Sequence, residues 1–105
     1  PTDTATPSDG AASLAAVSDV AVGSGVVVTA EQVVVTQPAS GDFHAFSSIC
    51  THRGCEVAEV VDNEIACPCH GSRFSATDGS VLNGPATAPL AEVPVRVAGG
   101  EVVRA

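Results

Sequence analysis

The run Val93-Pro94-Val95-Arg96-Val97-Ala98-Gly99-Gly100-Glu101-Val102-Val103-Arg104 begins with strict apolar/polar alternation and is broken by a glycine pair. Alternation with a period of two places every second side chain on one face of a strand. Two consecutive glycines supply the positive φ values that a tight hairpin link needs. The segment predicts a C-terminal antiparallel hairpin, V-P-V-R-V against E-V-V-R.

Working back from it, short valine-rich runs recur at Ala15–Val20, Val26–Thr29, Val33–Thr36, Phe43–Phe46, Val57–Val61, Ile65–Cys67 and Val81–Asn83. Turn formers separate them: Gly23-Ser24-Gly25, the stretch Pro38–Asp42, Asp62-Asn63 and Asp78-Gly79. No stretch of 11 residues sustains a helical period. The chain has 18 valines in 105 residues, and a β-branched side chain suits a pleated surface. The expectation is an all-β, antiparallel sandwich or small barrel over residues 14–105. Residues 1–13, rich in Pro, Thr, Ser, Asp and Gly, lack apolar periodicity and read as a flexible linker or tether.

Twelve acidic residues against four arginines and no lysine give a formal net charge of −8. That sign repels phosphate backbones, so nucleic acid is excluded as a partner. The composition also excludes a coiled coil, a collagen and a disordered acidic tail. No apolar run approaches the roughly 20 residues of a membrane helix. The chain starts at Pro1 and not at Met, as it would if an upstream signal peptide, lipid-bearing terminus or transmembrane anchor had been removed, and membrane contact is expected only through such an N-terminal anchor.

Two segments break the strand rhythm: Ile49–Cys55, I-C-T-H-R-G-C, and Cys67–Phe74, C-P-C-H-G-S-R-F. They hold all four cysteines and two of the three histidines. Loops carrying chemistry on a rigid scaffold look like this. Three readings compete. A disulfide framework would staple a small exported domain but leaves His52 and His70 unexplained. Structural zinc takes four ligands, and six candidates are on offer without the usual knuckle spacing. A 2Fe–2S cluster with two thiolates on one iron and two imidazoles on the other uses both residue types. The C-x-H and C-x-x-H spacings then choose Cys50, His52, Cys67 and His70, leaving Cys55 and Cys69, one in each loop.

Both motifs closely resemble those of the Rieske iron–sulfur family, and N-G-P-A-T-A-P-L, Asn83–Leu90, resembles the third loop that covers the cluster there. The resemblance runs from about Ala15 to Arg104. It implies an antiparallel β fold bearing a small two-loop cluster-binding subdomain, a Rieske-type 2Fe–2S cofactor, and Cys50, His52, Cys67 and His70 as iron ligands. It also implies a Cys55–Cys69 disulfide. That pair is typical of members resembling those of cytochrome bc complexes and usually missing from Rieske oxygenases and their ferredoxins. Disulfides persist outside the reducing cytosol, so an extracytoplasmic location follows.

Several neighbours are expected to tune the cluster. Gly54, Gly71 and Gly84 would allow close backbone approach or positive φ. Pro85 belongs to the covering segment. Ser72 stands where high-potential members carry a serine donating to a cluster sulfur. Phe74 stands where those members carry tyrosine, and one lost hydrogen bond of about 1 kcal/mol is roughly 45 mV in a one-electron couple. Imidazoles facing solvent would exchange protons with the cluster's charge and make the potential pH-dependent. His44 reads as a strand residue without a cluster role. Arg53 and Arg73 flank the cluster tip as either docking cations or plain solvated charges.

The function expected is one-electron transfer in an exported redox chain, with no catalysis by the chain alone. A redox protein would dock at the cluster tip of a monomer. The alternative is an electron-delivering subunit or head of a larger oxidoreductase: a cytochrome bc complex, an oxidase or an oxygenase. A zinc or disulfide domain without redox chemistry is the remaining one.

Overall fold

Val95–Ala98 and Glu101–Arg104 form the expected hairpin, with Val102 opposite Val97 and the turn made by Gly99 and Gly100 at φ 58° and 79°. The structure is a computed structural model that describes residues 13–51, 54–69 and 71–105. The linker expected at the N-terminus lies outside the described residues up to position 12, and Ser13 opens the first strand.

Ten strands are described: β1 (Ser13–Ala16), β2 (Gly25–Val28), β3 (Val33–Ala39), β4 (Asp42–Ser47), β5 (Glu59–Val61), β6 (Glu64–Ala66), β7 (Arg73–Ser75), β8 (Val81–Asn83), β9 (Val95–Ala98) and β10 (Glu101–Arg104). They make three antiparallel sheets, ordered β1-β10-β9, β2-β3-β4 and β5-β6-β7-β8. The all-β antiparallel class expected from the valine runs is the one observed. Among the described residues, the helical parts are two short 3₁₀ turns, Val17–Asp19 and Thr29–Glu31, and no helix is long and apolar enough to cross a membrane.

The middle sheet explains a feature that alternation alone does not. Val33, Val34, Val35 and Thr36 are consecutive and all buried. Val33 and Val35 join Leu14, Val20, Ala45 and Val102 in one core, whereas Val34 joins Phe46, Ile65 and Phe74 in another. Successive side chains of a strand point to opposite faces, so a sheet covered on both sides needs a continuous apolar run. The first core lies against the β1-β10-β9 sheet. The second lies under the β5-β6-β7-β8 sheet and contains Cys50 and Cys67.

Several boundaries differ from the sequence reading. The Ala15–Val20 run is strand only to Ala16, because the chain then turns through Val17–Asp19. β3 continues through Pro38 to Ala39, and Gly41, at φ 80°, turns the chain into β4. Of Val57–Val61, Glu59–Val61 is strand, joined to β6 by Asp62 and Asn63 at φ 52° and 63°. Positive φ at both central positions matches the right-handed twist of the flanking strands. Strand β7, Arg73–Ser75, begins inside the segment Cys67–Phe74 that reads as a loop in the sequence: Phe74 faces Ile65 on β6 and is fully buried. The strand pairs with β6 on one side and β8 on the other.

Candidate metal centre

The two cysteine-bearing loops close in the same way. In the first, the Cys50 N–H donates to the Cys55 carbonyl at 2.6 Å and the Gly54 N–H returns to the Cys50 carbonyl at 2.9 Å. In the second, the Cys67 N–H donates to the Ser72 carbonyl at 2.9 Å and the Gly71 N–H returns to the Cys67 carbonyl at 3.2 Å. Gly54 and Gly71 hold φ 76° and 81°, a left-handed turn that a residue with a Cβ adopts at a cost. An ideal Cβ on either would meet nothing within 4 Å among the described residues, so what these show to favour glycine is the left-handed conformation. Gly84 does not take the positive φ that is one of the two expectations for it, and it precedes Pro85 through a cis peptide.

Cys50 and Cys67 therefore occupy matching places. Both are buried, at 3% and 2% exposure, and both lie in the core with Phe46, Ile65 and Phe74. Neither is in a disulfide; Cys55 and Cys69 form one, tying the two loops together. The four cysteines are thus split into a bridge and a buried pair. His52, Arg53 and His70 lie outside the described residues. Among the described residues no group of three or more His, Cys, Asp or Glu converges as a metal site. What is described fits the thiolate half of an iron–sulfur centre, since soft thiolates in a dry pocket select such clusters.

The segment Asn83–Leu90 reaches both loops. Thr51 Oγ1 donates to the Ala88 carbonyl at 2.6 Å, Asn83 Nδ2 donates to the Gly71 carbonyl at 3.3 Å, and the Ala86 N–H donates to Ser72 Oγ at 3.1 Å. Ala86 and Leu90 are buried in the same core as the two cysteines. Thr51 and Asn83 were not singled out from sequence as binding residues. The only signal they carried was position, one beside Cys50 and the other at the start of the proline-bearing run.

Ser72 is 1% exposed, and its hydroxyl oxygen is occupied as an acceptor by Ala86. Phe74 is fully buried against Ile65 and Val81. Pro85 is exposed. Arg73 sits on β7 and pairs with Glu64 at 3.2 Å across the sheet, so its charge is partly answered within the chain. At the base of the first loop Ser48 Oγ donates to Glu56 Oε2 at 2.7 Å. His44 stands on β4, where its Nε2 lies 2.9 Å from Asp42 Oδ1 and its ring stacks on Phe46 at 6.4 Å.

Comparison with known proteins places this geometry. The chain is 36% identical over 74 residues to the cytochrome b6-f complex iron-sulfur subunit of Chlorobaculum thiosulfatiphilum, an overlap covering 70% of this chain and 40% of that protein. It is 45% identical over 60 residues to the cytochrome bc1 complex Rieske iron-sulfur subunit of Corynebacterium diphtheriae, covering 54% of this chain and 15% of that one. The chain thus spans less than half the length of these relatives. The crystal structure of the cyanobacterial plasma membrane Rieske protein PetC3 from Synechocystis superposes with a TM-score of 0.72 at 33% identity, covering 90% of this chain and 99% of that one. The family described as the Rieske [2Fe-2S] domain matches residues 11–94. With its paired cysteine loops, interloop disulfide and covering segment, the chain belongs to the Rieske [2Fe-2S] domain family, and its cofactor is a Rieske-type 2Fe–2S cluster that serves electron transfer.

Proposed function

We propose that this domain carries single electrons in an exported redox chain and is not a catalyst by itself. Cys50 and Cys67 bind one iron, and His52 and His70 bind the other. The observation that carries this reading is the equivalence of Cys50 and Cys67: same main-chain closure, same burial, both outside the disulfide. Replacing two thiolates by neutral imidazoles makes the cluster less negative and raises its potential into the range of roughly −150 to +300 mV.

The chain's own groups prepare the site in three ways. The Cys55–Cys69 bridge holds the loops at fixed separation. The apolar shell of Phe46, Ile65, Phe74 and Leu90 excludes water from the thiolates. The covering segment, hydrogen-bonded to both loops, closes the remaining side. A redox protein docks at the tip where the loops end, and the domain itself is a monomer. The disulfide and the plasma-membrane Rieske neighbour both favour an extracytoplasmic location.

EPR and Mössbauer spectra of the purified, reduced protein test the ligand set. Two inequivalent irons, one bound by sulfur alone and one by nitrogen, are expected, and Cys50→Ser or His70→Ala should abolish that signature. A colourless, iron-free preparation would discard the reading. The b6-f and bc1 relatives favour a second reading, in which this domain is the head of a subunit in a quinol-oxidising complex. Cluster spectra perturbed by a quinol analogue only when the membrane complex is present would select it.

A further inference from the structure

We propose that the backbone N–H of Ala86 is a positioning group for the Ser72 hydroxyl, so that the covering segment adjusts the electron affinity of the site through its main chain. This rests on the reading of Ser72 as a donor to the cluster.

A serine hydroxyl has one proton to give and two lone pairs to offer. In Ser72 one lone pair is taken by the Ala86 N–H at 3.1 Å, in a place where Ser72 is 1% and Ala86 3% exposed. The same residue is fixed on its main chain, where its carbonyl accepts the Cys67 N–H at 2.9 Å. Ser72 is therefore held from two sides, by the second loop and by the covering segment. Occupying one lone pair removes that direction from the range open to the O–H. A hydroxyl that accepts a hydrogen bond is also the stronger donor.

The Ala86 amide is itself held in place. Asn83 Nδ2 bonds to the Gly71 carbonyl on one side of it, and Thr51 Oγ1 bonds to the Ala88 carbonyl on the other. Ala86 is buried in the core cluster that also contains Cys67 and Phe74. Since the donor is a backbone group, no side chain at position 86 announces it. A positioning role beyond the directly bonded shell is a familiar way of tuning a metal centre.

Midpoint potentials by protein-film voltammetry test this on the cluster-loaded protein. Four forms are compared: unsubstituted, Ser72→Ala, Ala86 replaced by its α-hydroxy analogue (which exchanges the N–H for an oxygen), and both together. Ser72→Ala is expected to lower the potential. The analogue should lower it with Ser72 present and leave it unchanged with Ala at position 72. If Ser72→Ala has no effect, the donor reading of Ser72 falls and the proposal with it. If Ser72→Ala lowers the potential but the analogue shifts both backgrounds equally, or neither, the positioning role is refuted and Ser72 remains a donor. Should the analogue fail to retain its cluster, Thr51→Val, made at an exposed residue, loosens the same segment. It must then meet the same criterion in the same two backgrounds, a smaller fall that vanishes with Ser72→Ala.

Discussion

The hydroxyl of Thr36 on β3 donates to the carbonyl of Ala76, just beyond β7, at 2.7 Å across a site where both residues are fully buried. This bond ties the middle sheet to the sheet that carries the second cysteine loop. Thr36→Val keeps the shape and removes the donor, leaving the Ala76 carbonyl without that partner in the core. A loss of about 1–3 kcal/mol is expected. In thermal unfolding each kcal/mol amounts to about 4–8 °C for a domain of this size. An unchanged melting temperature would refute a stabilising role for this bond.

Phe74→Tyr tests the tuning of the site. Phe74 is fully buried in the core that contains both Cys50 and Cys67, and an added hydroxyl there has a ligand sulfur as its expected acceptor. One new hydrogen bond to the reduced state of about 1 kcal/mol corresponds to a rise of roughly 45 mV. Voltammetry reads this directly. A fall, or no change, sinks the assignment of position 74 as a tuning residue.

The disulfide gives a count. Cys55 and Cys69 are 14 residues apart, and closing a loop of that length contributes about 3 kcal/mol. The unfolded, cluster-free chain should titrate as two thiols, Cys50 and Cys67, without reductant and as four with it. Four reactive thiols before reduction would remove the bridge. The double variant Cys55→Ser/Cys69→Ser should unfold at lower temperature and release its iron faster.

Acid stability has one identified local contributor. The hydrogen bonds from Ser80, side chain first and then the backbone N–H at 3.0 Å, hold the Asp78 carboxyl below its ordinary pKa. A folded-state pKa below the unfolded value means that the charged form favours the fold. The contribution is present above the unfolded pKa and fades as pH falls through the folded one. Asp78→Asn should therefore be less stable than the parent at neutral pH, where the charged form contributes, and the gap should close as pH falls, giving a flatter decline on the acid side. Denaturant titrations at a series of acidic pH values check this, and an identical decline in both proteins would refute it.

The hairpins were legible from residue types alone. Gly99-Gly100 and Asp62-Asn63 each place two positive-φ residues between strands, and each is a turn in the structure. Strand β7 was not legible. R-F-S has neither the length nor the composition of a strand, and it becomes one because β6 and β8 flank it. Gly25 is similar. In sequence it is the end of a G-S-G turn, but in the fold a Cβ there would lie 2.5 Å from the Val35 carbonyl oxygen and 2.9 Å from a Val60 methyl. The close approach of β2 to its neighbours is what demands glycine, and only the packed sheets reveal it.

The two cysteine loops were marked out by chemistry that is local: residue type, spacing and the glycines that turn the chain. Such features are fixed by covalent connection over a few residues and can be read in a line. The family resemblance rests on them, and it in turn implied the cofactor and the disulfide partners. The C-terminal hairpin and the valine-rich strands were fixed in the same way by period and turn residues. Contacts between distant segments were decided by folding alone. The separation of Val33 and Val35 from Val34 into two cores, the Arg73–Glu64 pair, and the hold of Thr51, Gly71 and Ser72 on the segment Asn83–Leu90 all join residues that no spacing rule relates. Hydrogen bonds made by backbone amides and burial set by neighbouring sheets depend on where the chain returns, and that is a property of the packed molecule.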